Sequence, residues 1–184
     1  MRARNTATSM AVLALAVAAS TAATAAPQPV HQDITGSSAH GSTAATVRGG
    51  GGQARPNVPI EVGCDYSSNA PARLTSGGPL YATSNITNCT TDPAPTDCHL
   101  TATIEVYTRG LFGWEWATAG KTADGGWGAC NPKKILKPSY TCQGVVEKKE
   151  YRNQTTLGIT YNVDGKAGSS SSVTNSGTST EWCD

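Results

Sequence analysis

The sequence predicts an all-β protein built as a single antiparallel β-sandwich, and three observations carry that expectation. Apolar and polar residues alternate at period two in several short runs, which is the pattern of half-buried strands. Glycine and proline break the chain between those runs, and no stretch holds a helical period. All six cysteines lie beyond residue 57, as expected of disulfide reinforcement in an oxidising compartment.

The strongest element is a hairpin over residues 99–118. Leu100, Ala102, Ile104 and Val106 share one parity, while Thr101, Thr103, Glu105 and Tyr107 share the other. Arg109, Gly110, Leu111, Phe112 and Gly113 then make a turn, after which Trp114 and Trp116 resume the alternation. With Trp127 folded back beside it, this hairpin gathers three of the four tryptophans. Before it, Val58, Ile60, Val62, Cys64 and Tyr66 mark a first strand, with Pro59 suited to its beginning or to an edge. Residues 80–87 form a second, opened by Gly77, Gly78 and Pro79. After the hairpin, residues 139–144 are a short strand. Tyr151, Asn153, Thr155, Leu157, Ile159, Tyr161 and Val163 give the longest alternation in the chain, turned by Asp164-Gly165. Residues 169–182 are almost all serine and threonine and suit a hydroxyl-rich edge strand. About seven or eight strands are expected, with an immunoglobulin-like topology or, as the competing form, a compact barrel.

Ahead of this domain, residues 1–25 have the form of a secretory signal peptide. Arg2 and Arg4 precede an apolar run too short to span a bilayer, and Ala23-Thr24-Ala25 offers a cleavage site. The expected location is therefore outside the cell, with no membrane insertion. Residues 26–56 contain no aromatic and no cysteine but include the run from Gly49 to Gly52, a composition expected to form a disordered linker. His31 and His40 fall there and are expected to be solvated. The folded domain is assigned to residues 57–184. Without Arg2 and Arg4 the chain keeps twelve basic against thirteen acidic residues, so no general attraction to nucleic acid is expected.

Six cysteines allow fifteen pairings. The expected set is Cys89 with Cys98, Cys130 with Cys142, and Cys64 with Cys183: two short proline-bearing loops and one tie between the domain's ends. No Cys-x-x-Cys pair is present, so neither a metal nor a cofactor is expected.

The alanine-rich leader, Trp114-x-Trp116, Gly126-Trp127-Gly128-x-Cys130, Ser139-Tyr140-Thr141-Cys142 and Tyr151-Arg152 together resemble the small secreted, cysteine-bearing β proteins of actinobacteria. That resemblance implies an immunoglobulin-like fold and an extracellular setting, and it carries over no functional residue.

No catalytic motif is present. His99 is the domain's only histidine and has no Gly-x-Ser-x-Gly partner, so nucleophilic hydrolysis is not expected. Glu105 and Glu115 are the carboxylates that could meet across the hairpin, on its polar face. Asp65, Asp92, Asp97 and Asp164 match no calcium-loop spacing. Three binding surfaces compete instead. Tyr107, Trp114, Trp116 and Trp127 could line a sheet face that stacks on polysaccharide or cell-wall polymer, or they could fill the core. Lys133, Lys134 and Lys137, between Pro132 and Pro138 in a loop closed by Cys130 and Cys142, could present a lysine to a secreted protease. Leu111 and Phe112, at the hairpin tip, could meet a partner or fold back on the sheet. Asn85, Asn88 and Asn153 open N-glycosylation patterns and are expected to stay unmodified.

Overall fold

The computed structural model describes residues 38–48, 59–142 and 147–183. The expected signal peptide, residues 1–25, lies outside the described residues, as do His31 and most of the expected linker. Every regular element described is a strand, in the order β1 (Ala39–Arg48), β2 (Pro59–Ser68), β3 (Ala72–Arg73), β4 (Leu80–Tyr81), β5 (Ser84–Asn88), β6 (Asp97–Gly110), β7 (Gly113–Thr118), β8 (Ala123–Gly128), β9 (Ile135–Leu136), β10 (Ser139–Tyr140), β11 (Glu147–Val163), β12 (Lys166–Asn175) and β13 (Ser179–Cys183). Among the described residues the strands pair antiparallel throughout. Among the described residues no helix is long and apolar enough to cross a membrane.

Two sheets make the sandwich. One runs β1-β2-β5-β9; the larger runs β12-β11-β6-β7, with β13 also on β11 and β8 also on β6. Tyr66 and Ile86 from the first sheet meet Leu100, Leu157 and Ile159 from the second in a core from which water is excluded. Each such side chain contributes about 1.5–3 kcal/mol when fully buried. A small sheet, β10-β4-β3, brings Leu80 and Tyr140 against Ile104 and Tyr151 of the large one. Residues 80–87 thus divide between two sheets, β4 in the small one and β5 in the first. The hairpin and its turn form as the alternation predicts: Gly110 pairs with Gly113, and Asp164 and Gly165 take the positive φ angles of 51° and 78° that a two-residue turn needs.

Three sequence expectations are corrected. Part of the expected linker, Ala39–Arg48, is a strand paired with β2 along its whole length. Its inward positions are Ala39, Gly41, Thr43, Ala45 and Val47, small residues whose period two is faint on any hydropathy scale. Val47 packs with Val62 and Val163, and hydroxyl contacts make much of the rest of the seat against β11 and β12. Ser170 donates to the Ala44 carbonyl, Thr43 donates to the Leu157 carbonyl and shares a short hydroxyl contact with Ser172, and the Tyr66 hydroxyl lies 3.0 Å from both Ser172 and Thr174. His40 points outward on this strand and is exposed.

The cysteines also pair differently: Cys64 is bonded to Cys89 and Cys98 to Cys130. In each bridge a core cysteine of one strand meets a cysteine just past the end of the neighbouring strand. Asp65 pairs with Asn88, and Cys98 pairs with Gly128. Strand pairing therefore decides the partners, where the sequence argument had weighed loop length. Cys142 is disulfide-bonded as well, and not to Cys130. Thirdly, the expected final strand divides into β12 and β13, which follow one another along the same edge of β11.

Candidate functional site

The large sheet has one buried face and one open face, and strand parity decides what each carries. On β6 the even positions from Cys98 to Ile104 are buried, which leaves His99, Thr101, Thr103, Glu105 and Tyr107 on the open face. Across the ladders, the same face receives Arg152, Gln154, Thr156 and Gly158 from β11, and Trp114 and Trp116 from β7. Trp127 comes opposite His99 from β8, and Trp182 comes opposite Lys148 from β13. Trp114, Trp127 and Trp182 are 65%, 56% and 51% exposed. Tyr107, Trp114, Trp116 and Trp127, which the sequence placed either in the core or in a surface row, therefore stand on the surface of one sheet.

They form two aromatic patches. In the first, the Tyr107 ring stacks on Trp114 at 5.5 Å and tilts against Trp116 at 5.2 Å. The Arg152 guanidinium lies over Trp116, 4.3 Å from the ring centroid, and donates from Nε to Glu105 at 2.7 Å. Lys148 covers the Trp182 ring in the same way at 5.3 Å. Glu105 thus has a cation as its neighbour, and Glu115 pairs with Thr108 instead, so the two carboxylates do not meet across the hairpin.

In the second patch, Trp127 lies against the His99 ring at 5.1 Å, over Gly158. A Cβ at Gly158 would come within 3.2 Å of the indole. His99 Nε2 is 2.6 Å from Asp124 Oδ1, which also accepts from the Gly126 N–H at 2.8 Å. That backbone hydrogen bond, followed by the one with His99, holds the Asp124 carboxyl below its ordinary range. The geometry depends on a bulge. Thr101 pairs with Asp124 and His99 with Trp127, so between these pairs Leu100 of β6 opposes both Gly125 and Gly126 of β8, and the extra residue brings Asp124 and Trp127 onto the same face. Gly126 supplies the positive φ, 62°, within it. An open groove beside Trp127 is floored by Thr101 and Thr156 and walled by Ser169 and Ser171.

Between the patches run Thr101, Thr103, Gln154 and Thr156, a floor of hydroxyls and an amide. His99 and Tyr107 are eight positions apart on one strand, about 26 Å at a rise of ~3.3 Å per residue. Asp124, Arg152 and Trp182 belong to this face although sequence reasoning did not single them out. The Asp-Gly-Gly-Trp run was the available signal for the bulge, and Arg152 lay in the long alternation opposite the parity that marked its core positions.

The lysine loop has a different geometry from the one its composition implied. Cys130 is bonded to Cys98, so no bridge closes the loop. Lys134 donates to the Gly126 carbonyl at 2.9 Å, and Ile135 and Leu136 pair with β5. Lys133 and Lys137 remain exposed. The hairpin tip, by contrast, is free of the sheet: Leu111 is 96% and Phe112 is 100% exposed. Of the glycosylation patterns, Asn153 is fully buried and donates to Ser84 at 2.8 Å, which bars it from modification in the folded chain.

The four sulfurs of Cys64, Cys89, Cys98 and Cys130 lie within 4.8 Å of one another, a spacing of metal-ligand dimension. They are consumed as two disulfides, whereas a metal takes thiolates.

Fold and surface together define a disulfide-bonded antiparallel sandwich with an aromatic, hydroxyl-floored open face. No family model, curated protein or solved structure matches the chain.

Proposed function

We propose that the protein is a secreted, non-catalytic binding protein that holds a carbohydrate chain or cell-surface polymer across the open face of its large sheet. The observation that supports this reading is the placement of Tyr107, Trp114, Trp116 and Trp127 on that one face, in two patches joined by Thr101, Thr103, Gln154 and Thr156. Ring faces stack on the apolar faces of sugars, and the hydroxyls and the amide between them offer hydrogen bonds to sugar hydroxyls. A polymer long enough to reach both patches gains from their linkage, because the second contact forms at high effective concentration. The disulfides and the leader-like residues 1–25 support an extracellular setting.

The test is binding of the purified chain to a panel of insoluble polysaccharides, read by depletion from solution and by protection of tryptophan emission from a neutral quencher. Binding to at least one polymer is expected, with Trp127→Ala and Trp116→Ala each weakening it about tenfold or more, as loss of an aromatic anchor does. Equal binding by the double variant and the parent, or no protection by any polymer, would overturn the reading.

A further inference from the structure

The two disulfides touch in the middle of the sandwich. Cys64 belongs to one sheet and Cys98 to the other, and their sulfurs are 3.7 Å apart within the same core cluster. Both are in disulfides, so neither carries a proton and the approach is a van der Waals contact between two S–S bonds. Burial divides the four sulfurs into two kinds. Cys64 and Cys98 are 3% and 0% exposed, whereas Cys89 and Cys130 are only half-buried. An external thiol therefore reaches Cys89 or Cys130 first, and whichever it attacks, the sulfur it expels is the buried one that touches the other bridge.

We infer that this cluster is a thiol-exchange site, at which a small monothiol converts the two bridges within the sheets into a bridge between them. In the first step the monothiol, as thiolate, attacks Cys89 Sγ; a new S–S bond forms to Cys89, the Cys64–Cys89 bond breaks, and Cys64 leaves as thiolate. The Cys64 thiolate then attacks Cys98 Sγ, 3.7 Å away, forming Cys64–Cys98 and expelling Cys130 as thiolate. Cys130 attacks the Cys89 adduct, forming Cys89–Cys130 and returning the monothiol. Two disulfides enter and two leave, and the thiol is regenerated, so no oxidant or reductant is consumed. Entry at Cys130 follows the mirror-image course. All four sulfurs already lie within 4.8 Å of one another, so the new bonds form between groups that are already neighbours. A bridge joining facing sheets through the core is the geometry that antibody domains use, so the product is compatible with a sandwich. Cys142 is disulfide-bonded, packs with the separate cluster around Leu80, Ile104 and Tyr151, and takes no part.

The experiment incubates the native full-length chain with substoichiometric glutathione, blocks free thiols with N-ethylmaleimide, and maps linked peptides by mass spectrometry after digestion in acid. A Cys64–Cys98 peptide is expected to appear, together with Cys89–Cys130 or a glutathione adduct on either, while the bond at Cys142 and the far-ultraviolet circular dichroism are unchanged. Recovery of only the original pairs and their reduced thiols would overturn the proposal, as would products that involve Cys142. A second arm uses Cys89→Ser, which leaves Cys64 without its partner. Without added thiol this variant should yield Cys64–Cys98 and a blocked Cys130; a blocked Cys64 beside an intact Cys98–Cys130 bond would refute the transfer step. Should the variant fail to fold, the parent chain alone decides.

Discussion

Arg152 links the polar and aromatic halves of the open face, because one guanidinium both pairs with Glu105 and covers Trp116. The pair is shielded, with side chains 20% and 11% exposed. Removing the cation strands a carboxylate in a site it would not otherwise occupy. Arg152→Ala is therefore expected to cost about 1–3 kcal/mol, measured by urea unfolding followed with circular dichroism. Lysine keeps the charge but lacks the planar fork, so Arg152→Lys should recover only part of that loss. Asp124 answers to acid in a defined direction. Its folded carboxyl is held below the ordinary value of 3.8, so its contribution is present above that value and is lost as pH falls through the lower, folded one. The Trp127 indole N–H resonance should shift on acidification below 3.8, and Asp124→Asn should remove that acid-dependent step.

At the scale of elements, β1 rests on one glycine. A Cβ at Gly41 would fall 2.1 Å from Thr174 Oγ1 and 2.5 Å from the Tyr66 ring, so the strand lies close because that position is empty. Gly41→Ala should destabilise the domain by about 1–3 kcal/mol through overpacking, again read by urea unfolding. This strand also shows where sequence reasoning stopped. Period two was legible wherever Leu, Ile, Val or aromatic residues carried it, as in β6 and β11, because burial of large side chains is what the pattern reports. It was illegible in β1, where Val47 is the one large apolar residue among inward Ala, Gly and Thr. The hairpin was legible down to its turn, yet the face on which its tryptophans stand was not, since parity alone does not say which side is buried. The bulge in β8 hid Asp124 for a related reason: one extra residue reverses parity, so Asp124 and Trp127 share a face that simple alternation would deny them.

For the molecule as a whole, the core is mostly aliphatic, with Tyr66 and Tyr151 fully buried in it. Burial pushes the Tyr151 phenol up to about 12 from its ordinary 10.0. A raised pKa means that the folded chain holds this proton longer than the unfolded one, so its contribution is complete below pH 10.0 and is lost as pH rises towards 12. Urea midpoints should fall across that window for the parent, and the fall should be smaller for Tyr151→Phe. The placement of the indoles has a spectroscopic consequence for all such work. Three of the four tryptophans are more than half exposed in the native state. Their emission is expected to lie towards that of a solvated indole, so denaturation should change its wavelength little. Intrinsic fluorescence in this protein is therefore a gauge of what sits on the sheet, nearly blind to whether the sandwich beneath has come apart.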